Sequence, residues 1–154
     1  MAFSFANTSS ASALTLGDVI GTNFLRNWAT GRCLDSDASG NVYTNPCQQG
    51  NDYQTWTLTF VGHVGYDIVQ VKNQATGRCL YWGNLDGARY PYTSDCFPGA
   101  AAYTLMTWLG VGSGWDQVQF KTRQEGLCLD SNSSGSAYML GCNGGGNQLW
   151  KLGY

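Results

Sequence analysis

Two stretches of the chain carry the same three side-chain chemistries in the same order. Asp35 stands two residues after Cys33, Tyr43 four before Cys47, and Gln48 directly after it; Asp130, Tyr138 and Asn143 hold the same places around Cys128 and Cys142. A carboxylate accepts hydrogen bonds from a pair of vicinal hydroxyls, an amide both donates and accepts, and a phenol ring offers a flat apolar face to the C–H side of a pyranose. Such a set suits reversible sugar recognition without covalent chemistry. Gln48 is one methylene longer than Asn143, which makes the first constellation the less regular of the two.

A third stretch, around Cys79 and Cys96, breaks the set: Tyr81 replaces the carboxylate and Phe97 the amide, and only Tyr92 remains. With Trp82 and Tyr90 nearby, it reads as an aromatic-filled lobe that has lost monosaccharide binding, and a different ligand surface is the weaker reading. Other chemistries fit less well. The runs Asp35 to Gly40 and Asp130 to Gly135 match the first half of a calcium loop, but the twelfth position is Pro46 in one and Gly141 in the other, so both read as turns. His63 is the single histidine, and it reads as a turn residue, with no partner histidine for a metal site or relay. A glycoside hydrolase needs two carboxylates of opposed protonation, yet the pair Asp35 and Asp37 does not recur, because Asn132 takes the second place. No catalytic residue, metal ligand or cofactor is expected.

These side chains hang on a frame that repeats three times. A Cys-Leu pair, a second cysteine and a tryptophan appear as Cys33-Leu34, Cys47 and Trp56; as Cys79-Leu80, Cys96 and Trp108; and as Cys128-Leu129, Cys142 and Trp150. A period of about 40 to 50 residues marks a repeat architecture. The tryptophans persist where the constellation has decayed, which assigns them to a shared core. Gln54 and Gln148, two positions before Trp56 and Trp150, are assigned mainly to supporting hydrogen bonds, with direct sugar contact as a secondary role. The repeat logic pairs Cys33 with Cys47, Cys79 with Cys96, and Cys128 with Cys142, one of 15 connectivities open to six cysteines. Ahead of each first cysteine, Leu25, Val71 and Phe120 alternate with Arg26, Lys72 and Lys121, and turns follow, as in Ala29-Thr30-Gly31. Four short strands per repeat, twelve in all, are predicted near 23–28, 32–35, 41–43, 54–60, 67–73, 79–82, 90–93, 105–109, 117–122, 127–130, 137–140 and 148–152.

Composition agrees. The 154 residues include 21 Gly, 6 Trp and 9 Tyr, and only 12% are charged, with a formal net charge of −2. The absence of any basic cluster argues against nucleic acid and anionic membranes as partners. An even cysteine count points to an oxidising compartment, hence a secreted or extracellular protein, although the opening residues do not read as a signal peptide. No run is long enough to insert into a membrane as a helix. The chain divides into an amino-terminal arm, 1–22, in which Phe3 and Phe5 alternate like an edge strand, and one domain, 23–154, with repeats at about 23–66, 67–115 and 116–154.

The pattern Gly-x-Cys-Leu-Asp, second Cys, Gln-x-Trp resembles that of the ricin B-chain-like (R-type) lectins and the family 13 carbohydrate-binding modules, and within them the actinohivin type. The resemblance implies an all-β β-trefoil of three four-stranded repeats, with one potential sugar site per repeat around a pseudo-threefold axis. It implies that Asp35, Gln48, Asp130 and Asn143 bind sugar hydroxyls while Tyr43 and Tyr138 stack. The actinohivin-type pattern adds Leu140 with its counterpart Asn45, and Tyr53 with its counterpart Asn147. It favours mannose-type glycans, leaving galactose- and xylan-type ligands open. The expected partners are glycans or glycoproteins. A protein-binding trefoil, such as a toxin-delivery subunit or inhibitor, is the alternative, and a glycoside hydrolase a weaker one.

Overall fold

The computed structural model describes residues 14–96 and 107–154. Twelve strands lie among them: β1 (Val19–Asn27), β2 (Cys33–Ser36), β3 (Val42–Asn45), β4 (Thr55–Val64), β5 (Tyr66–Asn73), β6 (Cys79–Leu85), β7 (Ala88–Ser94), β8 (Thr107–Ser113), β9 (Gln117–Lys121), β10 (Leu127–Ser131), β11 (Ala137–Gly141) and β12 (Trp150–Leu152). Single 3-10 turns, Asp52–Gln54 and Gly146–Gln148, precede β4 and β12. The first strand starts at Val19, inside the stretch read from sequence as an arm. The edge-strand reading of Phe3 and Phe5 falls outside the described residues, as does Phe97.

Antiparallel pairing runs β1 to β4, β4 to β5, β5 to β8, β8 to β9, β9 to β12 and β12 back to β1, so six strands close into a barrel. The other six form three hairpins, β2/β3, β6/β7 and β10/β11. Three barrel-and-hairpin units around one axis make a β-trefoil. Closure removes the edge strands that six separate ribbons would expose.

The repeated residues explain why the chain closes this way. Leu25, Val71 and Phe120 are fully buried, as are Leu34, Leu80 and Leu129 and the three tryptophans. Each indole Nε1 donates to the carbonyl of the Leu in its own Cys-Leu pair: Trp56 to Leu34 at 2.9 Å, Trp108 to Leu80 at 3.1 Å and Trp150 to Leu129 at 3.0 Å. A buried Trp needs a partner for its N–H, and here that partner ties the last strand of each repeat to its hairpin. Burying one such ring contributes roughly 4 to 6 kcal/mol by area, as an upper bound. The disulfides pair within repeats, Cys33 with Cys47, Cys79 with Cys96 and Cys128 with Cys142. Each closes a short loop, which contributes about 3 kcal/mol in the chain-entropy account.

His63 is not a turn residue. It lies in β4, one position before the strand's end, and its Nδ1 sits 2.9 Å from Asp67 Oδ1 on β5, because the β4/β5 hairpin turns at Gly65. Asp37 and Asn132 each fold their loop by accepting from backbone N–H groups two and four residues on. No helix among the described residues is long and apolar enough to cross a membrane.

Neighbouring hairpins lock together through these loops. Gly40, at φ 95°, places its carbonyl 2.9 Å from Thr93 N, and Gly135, at φ 93°, places its carbonyl 2.8 Å from Thr44 N. A Cβ at Gly135 would come within 2.8 Å of Thr44 O and 2.9 Å of an Arg32 Nη, whereas one at Gly144, also left-handed at φ 72°, would meet nothing within 4 Å. Gly144→Ala is therefore expected to destabilise by about 1 to 2 kcal/mol, the conformational term alone, and Gly135→Ala by clearly more, since the clash adds to it. Denaturant unfolding of both variants checks this, and equal losses would contradict the interlock.

Candidate functional site

In the first lobe the hairpin register sets Asp35 directly opposite Tyr43, and Cys33 opposite Asn45. Alternation along β2 then puts the Asp35 side chain on the face of Cys33, away from Leu34 in the core. Asp35 is only 6% exposed, and its Oδ2 accepts from Asn45 Nδ2 at 3.0 Å and from Gln54 Nε2 at 3.1 Å. Gln54 is fully engaged behind it: Nε2 also donates to Pro46 O at 3.0 Å, and Oε1 accepts from Gln48 N at 2.8 Å. The result is an anchored carboxylate at the base of an open cleft of ≈ 360 Å³. Asp35, Tyr43, Asn45, Gln48 and Tyr53 all line it, so five residues named from sequence converge here.

Asp37, weighed from sequence only as a second carboxylate, completes the cleft with Ser36, Ala38 and Asn51, which were not singled out. Asn51 had a legible signal, since an Asn before a short helical turn is a capping residue, and its Oδ1 accepts from Tyr53 N at 3.0 Å. Its Nδ2 also donates to Gln48 Oε1 at 3.2 Å. That bond answers the extra methylene of Gln48. The stretch from Gln48 to Gln54 is one residue longer than that from Asn143 to Gln148, and the longer side chain is held by the longer loop. Burial, then the nearby Asp35 carboxylate, push the Tyr43 phenol above its ordinary range, which keeps it a neutral donor. Asp37 is held below the usual carboxylate range, chiefly by the Asn41 side chain. It is stabilised as an anion, the opposite of what a proton-donating glycosidase acid requires.

The third lobe repeats the anchor. Asp130 faces Tyr138 across the β10/β11 register and is 3% exposed. Gln148 Nε2 donates to its Oδ2 at 3.0 Å and to Gly141 O at 3.0 Å, while Gln148 Oε1 accepts from Asn143 N at 2.8 Å. Leu140 stands where Asn45 stands in the first lobe, and Asp130 Oδ1 is buried with no donor in hydrogen-bonding geometry among the described residues. Burial and the Asp130 charge push the Tyr138 phenol up. Asn143 is exposed, its Oδ1 accepting from Gly145 N at 2.8 Å, and Asn147 Nδ2 donates to Ser131 O at 2.8 Å. Gln54 and Gln148 thus stand behind the carboxylates, fully buried with both amide atoms used, and do not face the clefts.

The second lobe is filled. Tyr81, at the aspartate position, is 3% exposed and stacks on Tyr92 at 5.4 Å between ring centroids, with the planes 13° apart. Its hydroxyl donates to Asp95 O at 2.6 Å. Asp95 precedes Cys96 as Pro46 precedes Cys47 and Gly141 precedes Cys142, so the phenol takes over the bond that a glutamine makes in the other lobes. A separate pocket of ≈ 210 Å³, lined by Arg26, Asn27, Trp28 and Lys151, lies on β1 and β12, away from both carboxylates.

The cytolethal distending toxin A/C domain model matches residues 3–109, more than half of the chain. The chain belongs to the cytolethal distending toxin A/C domain family. The match spans the first two lobes and ends in β8. Among solved structures, this A/C-domain chain superposes on the cytolethal distending toxin from Actinobacillus actinomycetemcomitans with a TM-score of 0.66, at 16% identity over 85% of this chain and 89% of that one. The hemolytic lectin CEL-III gives a TM-score of 0.70 at 22% identity over 92% of this chain, which spans only 32% of the CEL-III chain. ThreeFoil, a designed threefold-symmetric protein, gives 0.67 at 23% identity over 85% of this chain and 96% of its own. At these identities the likeness concerns the fold: this A/C-domain chain shares its β-trefoil with these structures.

Proposed function

We propose that this chain is a secreted lectin that binds glycans reversibly through shallow sites in its first and third lobes, with the second lobe silent. One observation carries the reading. The same buried, amide-anchored aspartate stands opposite a half-buried tyrosine in two lobes, and a stacked phenol replaces it in the other. A carboxylate fixed through one oxygen by a buried amide needs little ordering on binding, and Asp130 Oδ1, a buried acceptor with no donor among the described residues, gains a partner from a sugar hydroxyl that reaches it. The family match and the fold shared with a hemolytic lectin support this reading.

In the sites, Asp35 and Asp130 accept from vicinal hydroxyls, Tyr43 and Tyr138 cover the pyranose face, and Gln48 and Asn143 bond a neighbouring hydroxyl. Asn45 and Tyr53 border the first site, and Leu140 and Asn147 the third. The likeness to actinohivin-type motifs favours mannose-type glycans, with galactose and xylan-type ligands next. Open sites of this kind bind single sugars weakly, and two on one chain gain by avidity on dense glycan surfaces. No step makes or breaks a covalent bond. The toxin family favours a second reading that is compatible with the first, in which the chain is the delivery subunit of a toxin assembly.

A glycan array probed with the unmodified chain and with Asp35→Asn, Asp130→Asn and the double variant tests the proposal. Signal that weakens in each single variant and disappears in the double one supports it. Signal unchanged in the double variant would sink it.

A further inference from the structure

We propose, resting on the glycan-binding reading above, that the third-lobe site is a two-subsite site: Asp130 takes one sugar, and the cleft between the second and third hairpins takes the next pyranose of the same oligosaccharide. The three hairpins meet pairwise around the axis. At two junctions an arginine seals the contact. Arg78 donates to Thr93 O at 2.7 Å beneath Gly40, and Arg32 donates to Thr44 O at 2.8 Å beneath Gly135.

At the junction of the second lobe with the third, both partners are exchanged together. Leu127 stands at the arginine position, directly before the Cys-Leu pair, and Met139 at the threonine position, three before the second cysteine. Both are buried, so the seal is apolar and offers no donor. The loop that would press on it also differs. β6 and β7 run to seven residues each, against four in β2 and β3, and turn through Asp86 and Gly87, both at positive φ. A two-residue turn of this kind gives a straight, projecting hairpin in place of the compact loops around Gly40 and Gly135.

The projecting hairpin and the apolar seal leave a cleft of ≈ 380 Å³, walled by Ala88 and Arg89 on one side and by Tyr138, Met139 and Leu140 on the other. Tyr138 belongs to both places, since it lies opposite Asp130 and also lines the cleft. Leu140, 48% exposed, gives the apolar wall a pyranose face or an acetamido methyl packs on. Arg89 is held beside it by Glu125 at 3.4 Å, an exposed pair weak enough to leave guanidinium N–H groups for sugar oxygens. At the corresponding place beside the first site, Tyr43 is bridged to Ser136 of the adjoining loop. The longer loop of the silent lobe thus serves the neighbouring site.

The test uses the full chain carrying Asp35→Asn, which leaves the third site to report. NMR titrations compare mannose with α1,2-mannobiose, galactose with lactose, and xylose with xylobiose. For the recognised sugar, the disaccharide is expected to bind at least about tenfold more tightly than the monosaccharide. Ala88→Trp, at an exposed hairpin position, fills the cleft without touching Asp130, and is expected to erase that gain while leaving monosaccharide binding within about twofold. Equal affinities for both members of the pair, or a gain that survives Ala88→Trp, would overturn the second subsite and leave the lectin reading intact. No binding of any of the six sugars by the unmodified chain would overturn both.

Discussion

Asp35→Asn combined with Asp130→Asn is expected to weaken glycan binding by at least about a hundredfold while the protein stays folded. Each carboxylate is fixed by a buried glutamine amide, at 3.1 Å for Asp35 and 3.0 Å for Asp130. Asparagine keeps the shape and one acceptor for that amide, but puts an NH₂ where a sugar hydroxyl must donate. Hydrogen bonds to a charged partner contribute roughly 1.5 to 3 kcal/mol, so losing one or two at a site gives a fall of that order. The substitution matters as much as the position. Asp130→Ala invites use as a clean knockout, yet Asp130 is 3% exposed and part of the hydrogen-bond network under the hairpin. Alanine there leaves a buried Gln148 donor with only Gly141 O, and a stability loss of about 1 to 3 kcal/mol is expected alongside lost binding. Titration with the recognised glycan and thermal unfolding of both variants separate the two effects. Normal binding by a folded double Asn variant would remove the carboxylates from the site.

Trp150→Ala is expected to give the largest stability loss among single substitutions in the third lobe, about 3 to 5 kcal/mol. The ring is fully buried, its Nε1 donates to Leu129 O at 3.0 Å, and its strand pairs with β1 on one side and β9 on the other. Truncation opens a cavity in the core, leaves the Leu129 carbonyl without the indole donor, and loosens the strand that closes the barrel. For a chain of this size such a loss lowers the melting temperature by roughly 10 °C or more. The disulfides remain intact, so the effect isolates packing from cross-linking. A drop below about 2 °C in a calorimetric scan would show that the core does not depend on this ring.

Much of this was legible in the chain itself. The Cys-Leu pairs, second cysteines and tryptophans repeat with strand-like alternation and Gly-rich turns between them, and these are local signals, so each of the twelve expected strands overlaps an observed one, with β1 starting earlier and β4 and β8 running further than expected, and the three disulfides pair as expected. The order of Asp, Tyr and amide around each cysteine pair is also local, because one hairpin carries all three. His63 was misplaced because a Gly-flanked residue looks like a turn, whereas the neighbouring β5 draws it into a long hairpin.

What sequence left open depends on residues from different lobes or different loops meeting. Asn45, read as a lining residue, also donates to Asp35 at 3.0 Å, and the extra methylene of Gln48 is absorbed by a longer loop and Asn51. Leu127 and Met139 look like ordinary core residues until they are seen to stand where Arg32 and Thr44 bond one another. The sequence by itself determined the frame and which lobes carry a carboxylate, since those follow from residue identity at a repeating position. The tertiary structure alone decided that the carboxylates are anchored from behind, that a phenol fills the second lobe, and that an apolar seal with a cleft beside it replaces the arginine at one of three junctions. Each of these rests on contacts between segments whose separation is fixed only when the barrel closes and sets the hairpins side by side.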